Sequence, residues 1–249
     1  MARRKVKTTR LEIIQCATTM FLEQGYTESS MKQMADALDL APGNLTYYFP
    51  TKEHMLAVLT DMLCEFQRRM MEQEAGEGMS SIMGICLELA AMAAMCEMDA
   101  VAADFYLSAY RSPMCMDIIR RNDMLRAKAV FQSTCSKWSE EHFAEAAALV
   151  SGLEYATLLK AGKTVSMEIR IAGALDGILS IYNIPPDVRK LKIRKVLDTD
   201  YRMLANRVLA GFKSFVSESN EQALEALLRA EEAQCANPVR SKLIREDLI

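Results

Sequence analysis

Proline is missing from two long spans of this chain, and no other feature constrains its fold as strongly. The 249 residues include only 6 Pro and 10 Gly, and residues 51–112 and 114–184 contain no Pro. Proline interrupts helices, whereas Ala, Leu, Met, Glu, Lys and Arg, which dominate these spans, favour them. Because 51% of the chain is hydrophobic, it can also bury a substantial core. The sequence therefore predicts an all-α fold, in one large or two modest domains.

Capping residues and apolar spacing divide the N-terminal part into four helices. Gly25 suits a left-handed cap at the end of the first helix. Ser30 and Gln33 match a capping box that opens the second helix, and a proline at the start of the third is pre-set for a first helical turn. We predict helices at about 8–24 and 31–38, from Pro42 to just before Pro50, and from Thr51 to about 74. The second and third of these, with the tight turn between them, have the size of a helix-turn-helix unit.

The rest of the chain has the pattern of a larger helical part. Gly76 and Gly78 mark the clearest break after the fourth helix. We predict further helices near 79–97, 99–110, 114–137, 140–161, 165–183, 187–217 and 220–235. We therefore expect an N-terminal domain of residues 1–56, whose fourth helix continues to about residue 74 as a link, and a second domain of residues 57–249.

The net charge of −3 hides an uneven distribution. Residues 1–60 carry a balance of +1, and residues 61–249 carry a balance of −4. The chain starts with a basic arm, made of Arg3, Arg4, Lys5, Lys7 and Arg10. Such an arm is commonly a solvated terminus, but beside a helix-turn-helix unit it is suited to contact DNA phosphates.

Several classes of protein are disfavoured by the composition. The seven cysteines include no C-x-x-C pair, and His54 and His142 are the only histidines. We therefore expect buried reduced thiols in a cytoplasmic protein, with no metal site and no cofactor. The chain has no G-x-S-x-G motif and no phosphate-binding loop, so we expect no enzyme activity. It has no signal-peptide pattern and no run of about 18 uncharged apolar residues, so we expect no membrane contact.

The third predicted helix carries small and polar residues near its start, where a helix in the major groove reaches base edges. Glycine permits close approach of the backbone, short polar side chains bond bases, and tyrosines reach phosphates or thymine methyl groups. The candidate contacts on this helix are Gly43, Asn44, Thr46, Tyr47 and Tyr48. Lys52 adds a cation to the outward amides at the start of the fourth helix, a combination that holds phosphate. The alternative is that the tyrosines belong to the core and that the pattern arose by chance in a helical protein.

Three stretches, Phe21–Gly25, Ser30–Leu40 and Leu45–Leu56, resemble the TetR (tetracycline-repressor) family of transcription regulators, and Tyr48–Glu53 fits the family pattern most closely. The resemblance covers about residues 8–56, and beyond it only the length and the helicity agree. The DNA contacts that it implies are Ser30 and Lys32 from the second helix, Gly43, Asn44, Tyr47 and Tyr48 from the third, and Lys52 as the phosphate-binding lysine. The chain departs from the family pattern at Thr46, where many members carry Tyr, at Ala41, where Ser or Thr is frequent, and at Asp39, where the turn often has Gly.

The resemblance also implies a homodimer, formed by the last two long helices, and a small-molecule effector bound among helices 4 to 8. The dimer helices would then be 165–183 and 187–217. Twelve of the 18 methionines lie between Met55 and Met124, and thioethers adapt to irregular apolar shapes, so we expect an apolar effector. The candidate pocket residues are Met92, Met95, Phe105, Tyr106, Tyr110, Phe131 and Trp138. Asp99 and Asp104 are candidates for binding a cationic ligand, although helix capping explains Asp99 equally well. The methionine-rich region and the apolar faces of the two dimer helices could instead be internal core.

We thus expect a dimeric repressor that binds a palindromic operator in double-stranded DNA and is released by a small apolar effector. Two other functions fit the same residues. One is a TetR-type activator, and the other is a helical protein-interaction module without a small-molecule effector.

Overall fold

The computed structural model describes residues 10–76, 81–159 and 165–219, together with Gln222 and Leu224. Within this part of the chain all regular structure is helical, in eleven α-helices, which confirms the predicted all-α fold. They are α1 Arg10–Glu23, α2 Met31–Ala37, α3 Pro42–Tyr48, α4 Lys52–Gly76, α5 Ser81–Met98, α6 Ala100–Arg111, α7 Pro113–Phe131, α8 Glu140–Leu158, α9 Met167–Ile181, α10 Pro186–Leu197 and α11 Tyr201–Glu218. The basic arm before Arg10 and most of the helix predicted at 220–235 lie outside the described residues.

The three N-terminal helices form where the capping residues predict them. The Ser30 side chain accepts from the Gln33 amide and the Gln33 side chain accepts from the Ser30 amide, which completes the capping box of α2. Asp39 adopts the left-handed conformation, with φ 52°, between α2 and α3. One apolar face of each helix meets in a common core, formed by Ile13, Ile14, Ala17, Phe21, Met34, Ala35, Leu45 and Phe49.

Helix α4 joins this N-terminal unit to the rest of the molecule. It packs against α1 at one end and against α5 and α7 along its length. All nine residues from 55 to 63 are buried, so this part of α4 has no face in solvent. The hydrophobic core continues through residue 56 without a break. A domain boundary at this residue therefore stays a prediction.

Helix α5 is the central helix of the larger part. It contacts α4, α6, α8, α9, α10 and α11. With 18 residues, the helix is long and apolar enough to cross a membrane, but 67% of it is buried inside the molecule. A helix that is apolar on all sides is expected in such a central position, because every side has a neighbouring helix to contact.

Two predicted helix bounds were wrong. Residues 187–217 form two helices, α10 and α11, because the chain turns at residues 198–200 and Asp200 caps the second helix by accepting from the Met203 amide. The helix predicted at 114–137 ends at Phe131, where the Thr134 hydroxyl donates to the Phe131 carbonyl.

The apolar face of α11 also differs from its predicted use. We expected this face to meet a second copy of the chain. Instead it is buried against α5, α4 and α1 of the same chain, with Tyr201, Leu204, Val208 and Phe212 at most 5% exposed. The broad apolar stripe is therefore internal core, and this helix does not offer it to a partner.

Candidate nucleic-acid interface

Helix α3 has one buried face and one exposed face. Leu45 is 1% exposed and Phe49, which follows the helix, is 4% exposed, so both anchor α3 on the N-terminal core. Other residues of α3 face the solvent. Gly43, Asn44 and Thr46 are exposed, and the Tyr47 side chain is 82% exposed. The outer face of α3 is therefore narrow, polar and accessible, on a helix whose inner face is held by apolar packing.

The start of α3 carries no side-chain cap. Ala41 occupies the cap position without a side-chain hydrogen bond, and Pro42 is the first helical residue. The first amides of a helix lack partners within the helix, and an anion or a base edge can accept from them. The backbone N–H of Asn44 donates to the Ala41 carbonyl at 2.9 Å. The Asn44 side chain is exposed at the same end of the helix.

The hydroxyl and aromatic side chains on this face have neighbours of their own. The Thr46 hydroxyl lies 3.2 Å from the carbonyl oxygens of both Pro42 and Gly43, so it donates back into its own helix. The Tyr47 and Tyr48 rings meet edge to face with centroids 5.4 Å apart. Because Tyr48 is half-buried, it restricts the positions that the exposed Tyr47 ring can take.

Lys52 ties the start of α4 to the loop between α1 and α2. Its ammonium group donates to the carbonyls of Tyr26 at 2.7 Å and Ser29 at 2.8 Å, and it lies 4.2 Å from the centre of the Tyr26 ring. Two of its three N–H donors are thus used within the protein, and one remains for a phosphate. Burial lowers the pKa of Lys52, against the attraction of Asp104 and Glu28. Burial likewise raises the pKa of Tyr26 to about 12.

The two α2 candidates differ in their freedom. The Ser30 hydroxyl is exposed but belongs to the capping box, since it lies 2.8 Å from Gln33 Oε1. Lys32 is also exposed, and it forms no ion pair with another described residue. Lys32 therefore has the more adaptable side chain of the two.

The loop before α2 is also bound to α6. The amide and the hydroxyl of Thr27 donate to the two carboxylate oxygens of Asp104, at 2.7 and 2.5 Å. Gly25 has φ +96°, and a Cβ atom there would lie 2.9 Å from Asp104 Oδ2, so glycine is required both for the backbone and for this approach. Asp104 is therefore engaged by Thr27, and Asp99 caps α6 through the amides of Val101 and Ala102. Neither is available for the cationic ligand considered from the sequence.

Three more links join the N-terminal unit to later parts of the chain. The Ser112 hydroxyl, at the junction of α6 and α7, donates to Glu53 of α4. On the other side, the Gln15 side chain donates to the Ser217 carbonyl at 3.2 Å, and Lys213 pairs with Glu23 at 2.6 Å. Sequence reasoning missed all these links, because their partners lie about 60 to 200 residues apart.

The seven predicted effector-pocket residues lie in the larger helical part, and their role as a pocket wall remains a prediction. Met95 and Tyr106 are in contact, with the Tyr106 hydroxyl 3.9 Å from the Met95 sulfur, in closely packed core. Phe131 and Trp138 both pack on the Tyr182 ring. Phe131 also lines a small interior cavity, whose other lining residues include Glu88, Asp123, Arg126, Glu154 and Tyr182. Sequence reasoning missed these, although charged residues within apolar helices were a sign of them.

Comparison with known proteins gives a family match for the N-terminal unit. Residues 13–59 match the family described as "Bacterial regulatory proteins, tetR family". No curated protein matches the chain. A γ-butyrolactone receptor (ArpA-like protein) is 16% identical over 79% of this chain and 93% of its own, with a TM-score of 0.41. AmtR of Mycobacterium smegmatis is 17% identical over 80% and 99%, with a TM-score of 0.38. CprB from S. coelicolor A3(2) is 16% identical over 83% and 99%, also with a TM-score of 0.38.

Proposed function

Residues 13–59 make this chain a member of the tetR family of bacterial regulatory proteins, and from that premise we propose that it is a homodimeric repressor that binds a palindromic operator. The observation that carries the proposal is the outer face of α3. This face is polar and exposed, while the inner face of the same helix is fixed by Leu45 and Phe49. A major groove about 12 Å wide admits one such helix.

In this proposal the residues on α2, α3 and α4 have different tasks. Asn44 and Thr46 read base edges, and Gly43 lets the backbone approach them. Tyr47 and Tyr48 contact phosphates or thymine methyl groups. Lys52 binds a phosphate with its remaining N–H donor, and Ser30 and Lys32 add contacts from α2. The protein acts by binding alone, in the cytoplasm, without catalysis or a cofactor.

The dimer forms through the exposed faces of α8 and α9. These two helices pack against each other and present large apolar side chains to solvent, with Leu149 54% and Ile169 65% exposed. Gly152 and Gly173 lie on the same exposed faces, and nothing lies within 4 Å of a Cβ atom built on either. Glycines allow helices to approach closely, so two copies can form a four-helix bundle. In this proposal α9 corresponds to the helix predicted at 165–183, and α8 takes the place of the helix predicted at 187–217.

An effector bound among the helices of the larger part would lower operator affinity by changing the separation of the two α3 helices. That separation has to equal about one DNA turn, roughly 34 to 36 Å. The support for this step is the set of contacts that tie α6, α7 and α11 to the N-terminal unit. The sequence favours an apolar effector, whereas the interior cavity contains charged groups.

The proposal is tested by selecting duplexes from a random DNA pool with the purified full-length protein. We expect a palindrome to be enriched, with affinity that falls steeply as salt rises. Asn44→Ala should weaken binding to the selected DNA by about 1–3 kcal/mol and leave binding to scrambled DNA unchanged. Asn206→Ala, an exposed change on α11, is the matched control. Equal losses on both DNAs would remove Asn44 from base reading, and failure to enrich any duplex would leave the protein-interaction module as the better account.

Repression and activation are separated by transcription in vitro from a promoter that carries the selected site. A repressor lowers transcript yield when it is added, and an activator raises it. Increased yield would overturn the repressor assignment while leaving the DNA-binding proposal intact.

A further inference from the structure

A small interior cavity lies among α5, α7, α8 and α9. Its volume is about 30 Å³, which is room for about two water molecules. The wall includes apolar side chains such as Leu89 and Ile178, and the stacked rings of Phe131 and Tyr182, whose centroids are 4.2 Å apart. The rest of the wall is ionisable. Such a mixture, an apolar interior with a few convergent polar groups, is the usual composition of a ligand site.

The ionisable part of the wall has too many carboxyl groups for its cations. Glu88, Asp123 and Glu154 line the cavity together with one cation, Arg126. Arg126 pairs with Glu88, and Glu154 accepts from the Tyr110 hydroxyl at 2.9 Å. The third carboxyl group lacks a hydrogen bond. Its Asp123 Oδ2 atom is buried and has no hydrogen-bond partner among the described residues. Buried acceptors are nearly always bonded, so this oxygen lacks a donor.

The pKa values of Asp123 and Glu154 are both raised, which agrees with the missing donor to Asp123 Oδ2. Burial raises the pKa of Asp123 well above its ordinary value, and repulsion from Glu154 and Glu88 adds to this effect against the attraction of Arg126. Burial also raises the pKa of Glu154 to about 7, in spite of the hydrogen bond from Tyr110. These surroundings therefore favour the protonated forms of Asp123 and Glu154. A cation in the cavity would replace those protons and restore the ionised forms.

Arg126 also borders a second, wider space. A groove of about 610 Å³ between α4, α5 and α7 has Arg126 in its wall. Its lining combines the charged Glu65, Arg68 and Glu72 with apolar residues that include Met71, Leu125 and Val130. Arg126 is thus common to the groove and to the interior cavity. A ligand that displaces this side chain would have its charged end in the cavity and its apolar part in the groove.

We propose that the cavity is the effector site of the repressor and that the effector is a primary amine bound as its ammonium ion. The ammonium group donates to Asp123 Oδ2 and lies among Glu88, Glu154 and the Phe131 and Tyr182 rings, which attract cations. The effector role rests on the proposed function, but the binding site does not. The excess of carboxyl groups excludes an anion, and the described residues include no group of three or more His, Cys, Asp or Glu side chains placed to hold a metal ion. A quaternary ammonium head has no N–H donor for Asp123 Oδ2.

Thermal unfolding of the full-length protein tests the ligand class. The probes are n-butylammonium chloride, n-butanol and tetramethylammonium chloride, all at equal ionic strength. At concentrations a hundredfold above its Kd, n-butylammonium should raise the melting temperature by about 5 to 10 °C. The other two should produce no shift. A shift of equal size with n-butanol, or with tetramethylammonium, would overturn the proposal, because neither combines a small charged head with N–H donors.

Variants locate the site. Asp123→Asn and Glu154→Gln each remove one charge with little change in shape, and each should weaken n-butylammonium binding at least about tenfold by calorimetry. Asp198→Asn, an exposed change beyond the cavity, should bind as the unaltered protein does. The melting temperature without ligand shows that each variant is folded. Unchanged affinity in both Asp123→Asn and Glu154→Gln would place the amine elsewhere and overturn the assignment.

Operator binding separates this inference from the proposed function. We expect n-butylammonium to weaken binding to the selected DNA in the unaltered protein and to have no effect in Asp123→Asn. If DNA is selected but no amine stabilises the protein, the amine site is wrong and the DNA-binding proposal stands. If the amine binds and no DNA is selected, the site stands and its role as an effector site fails.

Discussion

At the scale of single residues, Lys52 combines a structural task with a proposed DNA contact. Its ammonium group bonds the carbonyls of Tyr26 and Ser29, which a phosphate-binding role alone would not require. The sequence predicts the charge at this helix start, but it cannot predict these two bonds, because the partners lie 26 and 23 residues away. The two tasks can be separated by comparison with Lys32, which is exposed on α2.

Lys52→Ala should therefore weaken binding to every DNA sequence and also destabilise the fold. Loss of the donor leaves two carbonyls without their partner, which should cost about 1–3 kcal/mol of unfolding free energy. Lys32→Ala should weaken DNA binding without a change in stability. Denaturant unfolding and fluorescence anisotropy measure the two effects. An unfolding free energy in Lys52→Ala equal to that of the unaltered protein would contradict the structural task.

Glu154 should make stability fall as pH rises. Its pKa in the folded protein is raised from 4.5 to about 7, so the folded state retains a proton that the unfolded state loses. This stabilisation is complete below about pH 4.5 and is lost as pH rises through about 7. Glu154→Gln should accordingly flatten the decline of the melting temperature between about pH 5 and pH 8.

Glu168 supplies the control for this titration. The hydrogen bond from Arg202 lowers the pKa of Glu168 to about 2, so Glu168 stays ionised across the same range in both states. Glu168→Gln should shift the whole pH profile without changing its slope. A slope in Glu154→Gln as steep as that of the unaltered protein would show that another group carries the pH dependence.

A helix bound can be predicted from the sequence where the contacts that fix it lie within about one turn. The bounds of α2 and α3 could be predicted, because Ser30, Gln33 and Pro42 act within one turn. The break between α10 and α11 could not, because Leu197, Tyr201 and Leu204 continue a helical spacing across it. The interior cavity was out of reach for another reason, since its carboxyl groups come from three separate helices.

Helix α6 is connected to the DNA-binding helices by Asp104, and this connection can be tested. Asp104→Ala removes both hydrogen bonds to Thr27, so the loop before α2 should lose its fixed position relative to α6. We expect weaker binding to the selected DNA, with helix content unchanged. Asp36→Ala, an exposed change on α2, is the control. Full operator affinity in Asp104→Ala would show that α6 does not orient α2 and α3.

At the scale of the whole molecule, the proposed repressor requires two copies. Ile169→Glu places a charge on the exposed α9 face that we assign to the dimer. Sedimentation should then give the mass of a single chain in place of twice that mass, and binding to the palindrome should be lost. Leu191→Glu, at a residue 52% exposed on α10, should remain dimeric. A dimer of unchanged stability in Ile169→Glu would exclude α9 from the interface.

The stretch of α4 that is buried on every side has a consequence for how this regulator can be divided. Residues 55–63 supply interior surface to the N-terminal unit and to the larger helical part at once. Cleavage at residue 56 would therefore expose hydrophobic surface on each fragment, and we expect neither fragment to remain soluble alone. We therefore expect the two units to unfold in one cooperative transition, so a substitution in residues 55–63 should destabilise both.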